Sequence, residues 1–89
     1  MKAKQWTVQI YIAEDGDDTT AKAELITREG THLSGTGRAR RNPTDPSIPE
    51  IGDELAASRA LADLADKLAV VTQRDIARFV DAPMPKWSW

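Results

Sequence analysis

An α+β fold is what this chain of 89 residues predicts: a three-stranded antiparallel meander packed on one C-terminal helix. Three observations lead there. Residues 6–12 alternate apolar and polar side chains with period two. Tight-turn signals at Asp15-Gly16 and Glu29-Gly30 mark off two more segments of similar pattern, 19–28 and 31–40. From Asp53 to Asp81 an Ala- and Leu-rich stretch repeats its apolar positions at helical spacing.

The first strand, about residues 5–13, places Trp6, Val8, Ile10 and Ile12 on one face and Thr7, Gln9 and Tyr11 on the other. An acidic turn, Glu14-Asp15-Gly16-Asp17-Asp18, suits a hairpin, because its Asp-Gly pair favours positive φ. Its carboxylates read as a solvated turn, without the spaced ligands and terminal Glu of a calcium loop. The second strand, about 19–28, turns Ala21, Ala23 and Leu25 inward and Lys22, Glu24, Ile26 and Arg28 outward. The third, about 31–40, sets Leu33, Gly35, Gly37 and Ala39 against the helix and His32, Ser34, Thr36, Arg38 and Arg40 toward water. Glycine weakens a strand interior, so Gly35 and Gly37 need a reason; a shallow trough into which a helix settles supplies it.

A Pro-rich connector, about 41–50, leads to a helix of about 50–81. Ser47, Pro49 and Glu50 resemble a capping box, which starts the helix near residue 48. Ala57, Leu61, Leu64, Ala65, Leu68 and Val71 share one side, opposite Arg59, Asp63, Asp66 and Lys67. Counted from Asp53 to Asp81 alone, about 29 residues, such a helix runs ~43 Å, whereas a nine-residue strand spans ~30 Å, so its last turns overhang the sheet. Either the helix breaks near Thr72, beside the β-branched run Val70-Val71-Thr72, or a second subunit covers the overhang. The tail, 82–89, holds Trp87 and Trp89. With Phe79 these are the candidate partner-binding residues, since Trp is favoured at the centre of interfaces.

Composition narrows the function. The chain is long enough for one domain, 1–89, and one core. It has no cysteine and one histidine, so no metal site, cofactor or thiol chemistry is expected. His32 shares a strand face with Ser34 and Thr36, but same-face neighbours stand ~7 Å apart, too far for a nucleophile–base pair. No enzyme activity and no small-molecule substrate are expected. The sequence holds no secretory leader and no long apolar run; the cytoplasm is the default location, without a membrane partner.

Charge gives the one signal for a polyanion. Net charge is −2, yet residues 22–41 carry Lys22, Arg28, Arg38, Arg40 and Arg41 against Glu24 and Glu29 alone. Residues 50–81 carry seven acids against four bases. A basic outer sheet face, with Tyr11 and His32 among the cations, suits a phosphate backbone or unpaired bases. Lys22, Arg28, His32, Arg38, Arg40 and Arg41 are the candidate nucleic-acid-binding residues. An ordinary charged sheet face gives the same pattern.

The segment Arg38-Ala39-Arg40-Arg41-Asn42-Pro43, then Pro49-Glu50-Ile51-Gly52-Asp53-Glu54-Leu55-Ala56-Ala57 and Arg59-Ala60-Leu61, is distinctive. With Lys4-x-Trp6-Thr7-Val8 it resembles a family of small uncharacterised actinobacterial proteins with a β-β-β-α core similar to the double-stranded-RNA-binding-domain fold. That resemblance implies no enzyme activity and no cofactor. It implies an association with stress or dormancy and a structural similarity to ribosome hibernation factors, hence a ribosome or structured-RNA partner. The mildly acidic composition departs from the basic character of hibernation factors. The alternative expectation is a homodimeric protein–protein interaction module built on the helix overhang and the Trp tail.

Overall fold

The structure, a computed structural model, describes residues 2–79. Strands β1 (Thr7–Asp15), β2 (Asp18–Thr27) and β3 (Gly30–Arg40) precede one helix, α1 (Pro49–Arg78). The strands lie in the order β1-β2-β3, each antiparallel to its neighbour. Gly16, at φ 61°, occupies the first position of the β1–β2 turn, a conformation that glycine enters at little cost. Gly30, at φ 102°, opens β3.

These turns set the register. Val8, Ile10 and Ile12 stand opposite Leu25, Ala23 and Ala21, which stand opposite Leu33, Gly35 and Gly37. This face carries the helix. A bulge between Leu25 and Ile26 ends the regular pairing and leaves His32 without a direct partner on β2. The helix runs antiparallel to β3, because Gly37 meets Ala56 and Ala60 while Gly35 meets Ala60 and Leu64.

The expected trough is the centre of the fold. A β-carbon placed on Gly35 collides with the backbone N of Leu64 and O of Ala60. One placed on Gly37 collides with Ala56 O and Ala60 N. Backbone thus approaches backbone, and the buried set is small: Ala21, Ala23, Leu25, Ala39, Ala56, Ala60 and Leu64. Among the described residues no large side chain is fully buried.

Two expectations about α1 need correction. The helix does not break near Thr72; it continues to Arg78, and the Thr72 hydroxyl bonds back to Leu68 O at 2.9 Å. A β-branched run lowers helix propensity only slightly, and this back-bond satisfies the hydroxyl inside the helix. Nor does a capping box start it. Ile48 occupies the N-cap in extended conformation with no side-chain cap bond, and Pro49 begins the helix, where its missing N–H is no loss. The final helical residues expected at 80–81, and the tail with Trp87 and Trp89, lie outside the described residues.

Candidate functional site

Each cation of the outer sheet face can now be placed. Lys22 Nζ lies 3.6 Å from Glu24 Oε1. Arg38 Nη2 donates to Asp18 Oδ1 at 3.0 Å, and Arg40 Nε lies 4.0 Å from the same oxygen. Arg41 gives Nε and Nη2 to Asp17 Oδ1 at 3.1 and 2.7 Å and Nη1 to Asp45 O at 2.6 Å. Asp17 and Asp18 belong to the acidic turn read from sequence as merely solvated. Arg28 is not on a strand face: β2 ends at Thr27, so Arg28 sits in the β2–β3 turn, at the end of the sheet away from Arg40. The His32 side chain is outside the described set. The outer face is therefore close to charge-balanced, and its cations are engaged within the molecule.

The β3 edge is closed by α1. Three side chains spaced four apart on the helix, Arg59, Asp63 and Lys67, meet the strand's outward backbone groups. Arg59 Nη1 donates to Arg38 O at 2.7 Å, Thr36 N–H donates to Asp63 Oδ2 at 2.8 Å, and Lys67 Nζ donates to Ser34 O at 3.1 Å. An edge covered in this way offers no template to another strand. The Thr36 amide, and then the Lys67 ammonium at 3.0 Å, hold the Asp63 carboxyl below its ordinary 3.8. An acid with a lowered folded-state pKa adds stability above its unfolded value, and that stability fades as pH falls through the folded value. Urea unfolding should therefore show Asp63→Asn weaker than the native chain at neutral pH, with the difference shrinking below pH 3.8. An equal difference at both ends of that range removes Asp63 as the source.

At the other end of the helix two carboxyls meet. A hydrogen bond with Asp53, then its charge, raise Glu14 above the ordinary 4.5, and burial and Glu50 add to this. Asp53 Oδ1 itself is buried with no hydrogen-bond partner.

The apolar row of β1 lies on the helix side of the sheet, as its periodicity predicts, yet the helix does not cover it. Trp6, Val8, Ile10 and Ile12 are 56, 41, 39 and 45% exposed, and no residue of β1 is buried. The trough explains this. A helix seated backbone to backbone over β3 and the alanines of β2 cannot also climb over the tall side chains of β1. Leu61 and Ala65 are left exposed as well, and Leu68 half-buried, on the same molecule. Phe79, at the end of the overhang, is almost wholly exposed. Sequence reasoning named Phe79 as a partner-binding residue but not the β1 row, which it read as one face of a strand.

Fold and surface together define a small α+β domain of β-β-β-α order whose most distinctive feature is an uncovered apolar face. The chain belongs to the Rv2632c-like family, which it matches over residues 4–85. The uncharacterised protein MT1780 of Mycobacterium tuberculosis is 46% identical over 80 residues, 90% of this chain and 84% of that protein. Rv2632c of the same species is 40% identical over 81 residues, 91% of this chain and 86% of that one. A crystal structure of Rv2632c superposes with a TM-score of 0.82 at 37% identity, covering 93% of this chain and 98% of the other. Among the described residues no helix is long and apolar enough to cross a membrane.

Proposed function

We propose that this chain is a non-enzymatic protein–protein interaction module whose first partner is a second copy of itself. The exposed row Trp6, Val8, Ile10 and Ile12 carries that reading. Its core of small side chains supports it, because a chain this short needs contacts beyond its own interior. Light scattering of the intact chain should give twice the monomer mass. A monomer at every concentration overturns the proposal.

Ribosome or structured-RNA binding through the outer face is the weaker reading. Arg38 and Arg40 remain exposed, and surface ion pairs are worth at most ~1 kcal/mol, but both guanidinium groups share Asp18. The expected result is that co-sedimentation with ribosomes at low salt is absent, or is unchanged by charge reversal of Arg38 and Arg40. Binding that falls steeply with salt and is lost on that reversal reinstates RNA as the partner.

A further inference from the structure

We propose that self-association runs through the free edge of β1, two copies pairing antiparallel about Gln9 into one six-stranded sheet. This rests on the self-association reading above and specifies its geometry.

The two edges of the sheet differ. Arg59, Asp63 and Lys67 occupy the outward backbone groups of β3. Among the described residues nothing bonds to the outward backbone groups of β1, and α1 lies mainly over β2 and β3, meeting β1 at Glu14 through Asp53. β1 itself is nine residues long, pairs with β2 from Thr7 to Asp15 without a bulge, and contains no proline or glycine. A long, regular, apolar edge lacks the devices by which sheet proteins avoid edge-to-edge contact. It is built to be paired.

The sequence also selects a register. In an antiparallel pair, directly opposed residues share a face, so a symmetric pair must set even positions against even ones. Charges lie only at the two ends of this segment, Lys2 and Lys4 before it and Glu14 and Asp15 at its close. A two-fold axis through Gln9 sets Lys4 opposite Glu14 of the second copy, Trp6 opposite its Ile12, and Val8 opposite its Ile10. On the outer face Thr7 meets Tyr11. Moving the axis one residue either way sets Trp6 against Glu14, or Lys4 against Ile12. Only the Gln9 register matches charge with opposite charge and apolar with apolar, and it gives the Glu14 carboxylate, crowded by Asp53, a cation.

A chain without cysteine allows a direct test. On the axis, Gln9→Cys brings two thiols together, since opposed β-carbons stand about 5 Å apart. Mild oxidation, or a short bismaleimide, should then convert full-length Gln9→Cys to a covalent dimer at least tenfold faster than Thr20→Cys on β2. In a second arm, Lys4→Glu should raise the dimer dissociation constant roughly threefold to tenfold, and adding Glu14→Lys should restore it. A chain that is dimeric by light scattering but does not bridge at position 9 overturns edge pairing and leaves self-association standing. Equal bridging at positions 9 and 20 overturns it too, and a monomer at all concentrations overturns both.

Discussion

Gly37→Ala should lower stability by about 3 kcal/mol, the upper end of what over-packing costs. The new β-carbon meets not a side chain that can swing away but Ala56 O and Ala60 N, and stands 2.8 Å from Arg59 Cβ. The helix must lift from the sheet to admit it. Lifting loosens Ala56, Ala60 and Leu64 together and stretches the bonds by which Arg59 and Asp63 hold the β3 edge. Alanine's lower unfolded-state entropy returns less than ~1 kcal/mol. Thermal unfolding should fall by about 10 to 20 °C, and Gly35→Ala with Gly37→Ala should leave no cooperative transition at 37 °C. Thr36→Ala, on the opposite face of the same strand, should change little. A double-alanine chain that melts like the native one refutes the backbone contact.

Ile10→Lys should raise the dissociation constant of the dimer by about 100-fold. The side chain lies one residue from the proposed axis, and its contact with Val8 of the second copy occurs twice. Losing two apolar contacts of this size removes about 3 kcal/mol of association free energy, and the two ammonium groups, diagonal neighbours across the axis, add some repulsion. Folding of the single chain should suffer less, because at 39% exposure a lysine can run its stem along the sheet and keep its charge in water. A dilution series followed by light scattering measures the change, and circular dichroism checks that the fold persists. An unaltered dissociation constant removes β1 from the interface.

Most of the fold is readable in the sequence because its signals are local. Period-two alternation gives three strands, the turn glycines give their connections, and Gly35 and Gly37 announce a close-lying helix. What escapes depends on which elements meet. Periodicity shows that Trp6, Val8, Ile10 and Ile12 share a face, but not that a helix drawn into the β3 trough stands clear of them. The acidic turn is misjudged for a different reason. Counting back from the Thr27–Gly30 pair sets Asp18 opposite Ala39, and only the bulge between Leu25 and Ile26, which no local signal announces, moves it opposite Arg40, so the pairing of Asp17 and Asp18 with the third-strand arginines is out of reach of turn counting alone. The helix start is placed correctly for the wrong cause: Pro49, not a Ser47 cap, begins it.

The helix side chains on β3 also decide how far assembly goes. A subunit with two bare flanks recruits copy after copy into a ribbon, whereas one flank guarded by Arg59, Asp63 and Lys67 leaves a single place for addition. With β1 pairing as proposed, growth should stop at two, and concentrated solutions of the chain should stay free of filaments.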